Sequence, residues 1–308
     1  MADAVLPELP TPLVAARSLS RAGAETYIKN ETVLPTGSFK VRGALHSLTV
    51  NLARRTISEV VAASTGNHGA AVAWAANAAG CRATIFLPSN PNPVKADRIR
   101  QLNARIVESG PDLSAAIDAA YRYAEEADAF FLHDAADPDV PAGTATIGAE
   151  ILEQQPAVDR IYVPMGDTAL VRGVAAAVKR VRPAAVIIGV VAANAPAYLL
   201  SWRQGDVVET DTAATIADGL AVRRPLAGNV TEIRRLVDEV QSVTEDEMLA
   251  AIRHLRQHEQ IIAEPSGAAA TAAYLKDRSA AGVVVLLVTG GNVSPDVLAR
   301  AEAPTRYR

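Results

Sequence analysis

Lys40 directly follows a Thr-Gly-Ser-Phe turn in a chain whose 30 basic residues comprise 25 arginines and 5 lysines. An ammonium can lose its proton and become a nucleophilic amine, whereas a guanidinium in a protein cannot. Ser38 is a favourable N-cap and predicts a helix that begins near Phe39. Lys40 would then lie in the first helical turn, where the helix dipole lowers the pKa of an ammonium. This placement indicates amine chemistry; a solvated lysine on a helix is the alternative.

The stretch ASTGNHGAA, residues 63–71, follows a predicted strand and precedes a predicted helix. Its hydroxyls, its amide and its backbone N–H groups at a helix N-terminus would suit a carboxylate. These groups belong to Ser64, Thr65, Gly66 and Asn67. His68 adds an imidazole, but no residue near it in sequence would orient it as a catalytic base. A plain capping turn is the alternative for the whole stretch.

Two further turns also follow predicted strands. VPMGDTALVRG, residues 163–173, has the right position for a phosphate at a helix N-terminus. However, Gly166 is the only glycine in its turn, Asp167 has the wrong charge, and neither a P-loop nor a dinucleotide-binding turn is present. LLVTGGNVS, residues 286–294, ends with Thr289 and two glycines, which permit close approach of a ligand. A simple strand-exit turn would explain the last stretch equally well.

Short apolar runs that favour strands alternate with alanine-rich helical patterns along most of the chain. The predicted strands are 25–30, 60–63, 83–87, 105–108, 130–133, 161–164, 185–191 and 283–288, and the helical patterns are 70–79, 94–103, 113–127 and 170–181. This alternation predicts an α/β protein with two open, mainly parallel sheets flanked by helices. Ligands of such sheets bind at the carboxyl ends of the strands, where these turns lie.

Composition excludes several classes of function. The net charge of −4, with no basic stripe, argues against a nucleic-acid partner. No stretch reaches the roughly 20 apolar residues of a membrane helix, and the N-terminus has neither the basic region nor the apolar run of a signal peptide. The single cysteine, Cys81, excludes an internal disulfide and favours a reducing compartment. We therefore expect a soluble, cytoplasmic protein.

Taken together, these stretches resemble the fold-type II pyridoxal-phosphate enzymes of the tryptophan synthase beta-like superfamily, and among them the serine/threonine dehydratase family. The motifs that carry the resemblance, in chain order, are LPTPL, KNETVLPTGSFKVRGA, ASTGNHG, TIADGLAV, AEPSGAA and TGGN. The resemblance implies pyridoxal phosphate as cofactor, a homodimer, and an active site between two domains. The expected large, cofactor-binding domain comprises residues 1–47 and 144–308, and the small domain comprises residues 48–143.

The resemblance also implies roles for the first two turns. Lys40 would carry the cofactor as a Schiff base, and Phe39 would flank the cofactor ring. Once released by the substrate amine, Lys40 would act as the base at the α-carbon. The substrate carboxylate would be held by a loop of five residues, Ser64, Thr65, Gly66, Asn67 and His68. Asn67 would in addition reach the ring oxygen of the cofactor.

The last two turns would hold the rest of the cofactor. The phosphate would lie on a loop of five residues, Gly166, Asp167, Thr168, Ala169 and Leu170. Thr289 would face the pyridine nitrogen. The family usually has a run of glycines in the phosphate loop, so this chain departs from the family pattern. We expect that the phosphate still binds, with the Asp167 carboxylate turned away and capping the helix.

The activity that the resemblance implies is elimination from a β-hydroxy amino acid such as threonine or serine, which yields a 2-oxo acid and ammonia. A neutral hydroxyl at the ring nitrogen favours loss of the β-hydroxyl group over transamination. The chain ends about forty residues after EPSGAA, so we expect no C-terminal regulatory domain and no feedback by isoleucine. A catabolic role follows, and the dehydratase of hydroxyectoine breakdown is one specialised relative of this kind.

Other functions remain open from the sequence. An amino-acid racemase could use Ser64 as a second acid–base group, and a non-catalytic cofactor-binding protein could have the altered phosphate loop. Asp218 could help to bind a cation, but helix capping is the preferred reading, and no metal is expected. Arg172, Arg223 and Arg224 could recognise an acidic substrate, but the preferred interpretation is that they are solvated surface cations.

Overall fold

The computed structural model describes residue 6 and residues 9–64, 66–91 and 93–303, with residues 93–95 described by their backbone alone. Its contacts group Leu34–Thr144 in a smaller unit, and Glu8–Val33 with Ala145–Arg308 in a larger one. The sequence instead assigns residues 34–47 to the large domain. They group with the smaller unit because the helix Lys40–Arg54 packs against the helix Asn67–Ala79.

The smaller unit contains a parallel sheet of four strands in the order β5-β4-β3-β6. The strands are β3 (Glu59–Ala63), β4 (Arg82–Leu87), β5 (Arg105–Glu108) and β6 (Phe130–Phe131). The helices are α1 (Lys40–Arg54), α2 (Asn67–Ala79), α3 (Pro93–Gln101) and α4 (Leu113–Glu126). The helix α5 (Val140–Gln154) contains the boundary at residue 144. The central strand β3 is almost continuously apolar, as is typical of a parallel strand covered on both faces.

The larger unit contains a sheet of six strands in the order β1-β2-β10-β7-β8-β9, of which only β1 is antiparallel to its neighbour. The strands are β1 (Leu13–Ala15), β2 (Ala24–Asn30), β7 (Arg160–Pro164), β8 (Val186–Ala192), β9 (Glu239–Val243) and β10 (Gly282–Val288). The two sheets confirm the predicted α/β class. Because β7 and β10 are parallel neighbours, the turns that follow them emerge at the same edge of the sheet.

Helices cover the larger sheet, and a 3₁₀ turn at Asp218–Leu220 precedes α8. The helices are α6 (Ala169–Val181), α7 (Ala197–Gln204), α8 (Ala227–Leu236), α9 (Glu245–His258), α10 (Pro265–Lys276) and α11 (Pro295–Glu302). The alanine-rich helix α10 is almost wholly buried and packs against β7 and β10. Its small side chains let its backbone approach the sheet closely. Every helix in the described ranges is too short or too polar to span a bilayer.

The predicted strands are present within two residues at either end. The sequence does not predict β9, EVQSV, because this edge strand pairs only with β8 and lacks a continuous apolar run. The capping role predicted for Ser38 is wrong. Phe39 already has helical φ and ψ angles of −59° and −21°, and the buried Ser38 Oγ accepts no hydrogen bond from the first turn of α1.

Candidate active site

Lys40 is the first residue of α1, and its side chain is only 12% exposed. Its Nζ donates a hydrogen bond of 2.9 Å to Asp134 Oδ2 and lies 5.4 Å from the centre of the Phe39 ring. Asp134 belongs to the turn after β6, 94 residues along the chain. The first turn of α1 contains no acidic residue of its own. The Asp134 carboxylate therefore stabilises the Lys40 ammonium and opposes the effect of the helix dipole on its pKa.

The imidazole of His68 is buried at the start of α2 and is oriented by the backbone. Its Nε2 lies 2.9 Å from the carbonyl oxygen of Leu132. Because a carbonyl only accepts, Nε2 carries the hydrogen. Burial lowers the pKa of His68, the charge of Lys40 lowers it further, and the charge of Asp134 raises it. The sequence alone does not indicate the group that orients His68, because Leu132 is 64 residues away along the chain.

We predict that His68 makes the stability of the protein depend on pH just below neutrality. Its folded-state pKa lies below the unfolded value of 6.5, so the unfolded chain binds a proton below pH 6.5 that the folded chain does not. This stability is therefore present above pH 6.5 and is lost as the pH falls, by up to about 1.4 kcal/mol per pH unit. The measurement is urea unfolding between pH 7.5 and pH 5.5.

The variant His68→Gln retains a donor for the Leu132 carbonyl group but cannot titrate. Its unfolding free energy should fall less steeply with pH than that of the wild type. Circular dichroism at pH 7.5 checks that His68→Gln folds. Equal slopes for His68→Gln and the wild type would contradict the prediction.

The loop before α2 forms a tight turn on the end of β3. Ser64 Oγ accepts a hydrogen bond of 3.2 Å from the Gly66 backbone N–H, and the Ser64 N–H donates to the Phe86 carbonyl oxygen at 3.2 Å. Asn67 begins the helix. Thr65 lies outside the described residues. His68, one of the predicted substrate residues, is close enough to Lys40 and Asp134 for both charges to act on its pKa, that of Asp134 raising it and that of Lys40 lowering it.

The predicted phosphate loop joins β7 to α6 in the larger unit. The Asp167 carboxylate accepts a hydrogen bond of 3.0 Å from the backbone N–H of Ala169, the first residue of α6, from the position before the N-cap Thr168. It is not turned away from the loop, because it holds an N–H group that a phosphate could use. Thr168 has a φ angle of +76°, which is rare for a β-branched residue. The loop thus reaches the left-handed conformation without the expected glycine.

Polar side chains surround this loop. Arg172 Nε donates a hydrogen bond of 3.1 Å to Thr168 Oγ1, and Asn229 Nδ2 donates to the Asp167 carbonyl oxygen at 3.2 Å. Burial lowers the pKa of Arg172, and the charge of Asp167 raises it. The interpretation of Arg172 as a solvated cation is therefore wrong. Arg223 and Arg224 are exposed.

Close backbone contacts connect the phosphate loop to three other motifs of the larger unit. A Cβ atom on Gly166 would lie 1.9 Å from the Gly219 carbonyl oxygen, and the Gly219 N–H donates to Ser266 Oγ at 3.0 Å. A Cβ atom on Gly267 would lie 2.3 Å from the Gly290 carbonyl oxygen. The motifs GDTAL, TIADGLAV, AEPSGAA and TGGN therefore converge at the carboxyl ends of β7 and β10. The buried Thr289 directly follows β10 in this cluster.

We predict that Gly166→Ala lowers the free energy of unfolding by about 3 kcal/mol, because the methyl group would overlap a backbone oxygen that has little room to move. Gly228→Ala is the matched control, since its Cβ would meet no atom within 4 Å. Gly228 lies in α8, so this control should be unchanged or more stable by up to about 1 kcal/mol. Urea unfolding compares the two variants, and equal stabilities would refute the predicted overlap.

The smaller and the larger unit, each taken by itself, contain groups of distinct chemistry. In the smaller unit, the Lys40 amine can attack a carbonyl carbon. In the larger unit, the start of α6 presents backbone N–H groups beside the Arg172 guanidinium, which suits a phosphate. The Thr289 hydroxyl adds a neutral donor or acceptor. Among the described residues, no group of His, Cys, Asp and Glu side chains could hold a metal ion.

Comparisons with known proteins identify the family of the chain. The family profile described as "Pyridoxal-phosphate dependent enzyme" matches residues 5–290. An L-threonine ammonia-lyase of Geobacter sulfurreducens is 38% identical over 275 residues, which cover 89% of this chain and 68% of that protein. The processed threonine deaminase isoform 2 of Solanum lycopersicum superposes with a TM-score of 0.90 at 31% identity, over 97% of this chain and 85% of that one. Maize serine racemase gives a TM-score of 0.89 at 30% identity, over 94% and 91%.

Proposed function

Because the chain belongs to the family of pyridoxal-phosphate-dependent enzymes, we propose that it is a lyase that converts threonine or a related β-hydroxy amino acid to a 2-oxo acid and ammonia. The observation that carries the proposal is the mostly buried amine of Lys40, hydrogen-bonded to Asp134 at the start of α1. The similarity to an L-threonine ammonia-lyase supports this reaction class.

Several groups of the chain would hold the cofactor. Lys40 Nζ would bind its carbonyl carbon covalently. The N–H groups at the start of α6, with Arg172, would hold the phosphate, and the Thr289 hydroxyl would face the ring nitrogen. When bound, pyridoxal phosphate supplies an electron sink for the electrons left on the α-carbon when its proton is removed.

The chain itself supplies positioning and proton transfer. The turn from Ser64 to His68 would bind the substrate carboxylate at the N-terminus of α2, and this would fix the orientation of the α-carbon. Lys40 Nζ, once released by the substrate amine, would take the α-proton. Asp134 would stabilise the resulting ammonium at Nζ.

The test is 2-oxo-acid release from a panel of β-hydroxy amino acids, with pyridoxal phosphate supplied. The panel contains serine, threonine, 3-hydroxyaspartate and the amino acids derived from hydroxyectoine. We expect release from at least one member, with ammonia formed in equal amount, and the best substrate would indicate the pathway. No release from any member would refute the proposed reaction.

Racemisation is the second candidate, and the likeness to maize serine racemase favours it. The Ser64 hydroxyl, held in the turn before α2, would supply the second acid–base group. Chiral chromatography would detect D-serine formed from L-serine. For a racemase, Ser64→Ala should abolish D-serine formation, whereas a dehydratase should form no D-serine in either variant.

The resemblance to the dehydratases also supports a catabolic role and a homodimer in the cytoplasm. Light scattering on the purified protein would test the assembly. A homodimer should give about twice the chain mass of 32.3 kDa. A species of single-chain mass at micromolar concentration would contradict it.

A further inference from the structure

We propose that Asp134 is a positioning residue that sets the protonation of Lys40 Nζ. The Asp134 carboxylate would stabilise the protonated, positively charged form of Lys40 Nζ. The catalytic consequence of this inference rests on the proposed function, but the electrostatic effect does not.

The geometry around Asp134 gives its two oxygens different neighbours. Oδ2 accepts the hydrogen bond of 2.9 Å from Lys40 Nζ, and Oδ1 lies 3.7 Å from His133 Nδ1. The Asp134 side chain is 27% exposed. Because the side chains of Lys40 and Asp134 are mostly buried, this ion pair interacts more strongly than one between fully exposed side chains.

The structure describes three other groups close to this pair, and none of the three is an acid. His133 lies in the turn after β6, His68 lies in α2, and Phe39 directly precedes α1. Neither an imidazole nor a phenyl ring carries negative charge at neutral pH. Burial already keeps His68 toward its neutral form. These neighbours therefore cannot replace Asp134 as the counter-charge of the ammonium.

Asp134 and the helix dipole act on Lys40 in opposite directions. The start of α1 disfavours an ammonium by a small amount. An opposite charge at hydrogen-bond distance has the larger effect, about one to three pH units. In the protein without cofactor, Asp134 would hold Lys40 as an ammonium. During turnover it would stabilise the ammonium that forms when Nζ removes the α-proton.

The test measures the reactivity of individual lysines in the full chain prepared without pyridoxal phosphate. Wild type and Asp134→Asn are labelled with acetic anhydride across a pH series, and labelling is read by peptide mass spectrometry. In Asp134→Asn, the pH of half-maximal Lys40 labelling should fall by about one unit or more. Lys276, an exposed lysine, is the reference within each sample. An unchanged Lys40 midpoint would overturn the proposal.

Asp134→Glu separates charge from shape, because it keeps the carboxylate. Its Lys40 midpoint should return toward the wild-type value. A midpoint equal to that of Asp134→Asn would assign the effect to shape and overturn the proposal. Circular dichroism checks that both variants fold. Since labelling requires neither cofactor nor turnover, its outcome is distinct from that of the substrate panel.

Discussion

Alanine at position 40 is expected to reduce 2-oxo-acid release by roughly 10³-fold or more, because Lys40 would both attach the cofactor and remove the α-proton. The substitution removes the amine at the start of α1 but leaves the turn before α2 and the phosphate loop intact. Two measurements report on these two roles. The absorbance band of lysine-bound pyridoxal phosphate should disappear, and turnover should fall to the background rate of the cofactor in solution.

Lys276→Ala is the matched control for Lys40→Ala. Lys276 also ends in an ion pair, with Glu247 at 3.1 Å, but it lies at the exposed end of α10. It should retain the absorbance band and full activity. Added methylamine could restore some turnover to Lys40→Ala by acting as an external base. Wild-type turnover in Lys40→Ala itself would exclude Lys40 as the catalytic amine.

The sequence predicts the parts of the site that depend on local patterns. Strand–helix alternation predicts both parallel sheets, and the turns after β3, β7 and β10 lie where the apolar runs indicate. The positions of such turns can be predicted because a buried parallel strand and the first residues of the next helix each have a characteristic local sequence pattern. Contacts between side chains that are distant in the sequence have no such local pattern.

Asp134 and Arg172 show what the sequence could not predict. Asp134 lies in HDAADP, an ordinary polar turn, and its relation to Lys40 arises only when β6 and α1 come together in the folded unit. Arg172 is one of 25 arginines. The sequence does contain one indication of its position. Arg172 follows Thr168 by four residues at the start of α6, and this spacing places two side chains on the same face of a helix.

The environment of a lysine indicates whether its amine is reactive better than the scarcity of lysine in the chain does. Lys29 is more deeply buried than Lys40, with a side chain that is 0% exposed. Its Nζ donates to Thr11 O at 2.7 Å, to Glu150 Oε2 at 2.6 Å and to Gln154 Oε1 at 2.8 Å. These three acceptors, one of them a carboxylate, stabilise the charged ammonium and hold it in place. We therefore assign Lys29 a structural role.

Lys29→Met is expected to lower the free energy of unfolding by about 3–5 kcal/mol, because it leaves Glu150 buried without its cationic partner Lys29. Methionine fills a similar volume, so loss of packing contributes little. Urea unfolding at pH 7 measures the change. The double variant Lys29→Met with Glu150→Gln should recover part of the loss, since it removes the buried negative charge as well.

Lys276→Met supplies the comparison, because it breaks an ion pair with Glu247 whose side chains are 40% and 34% exposed. Such a pair contributes at most about 1 kcal/mol. The difference between the two lysines therefore isolates the effect of burial. Equal losses for Lys29→Met and Lys276→Met would show that the buried cluster of Lys29 and Glu150 adds little stability. The cluster would then be retained for the position that it gives to β2 and α5.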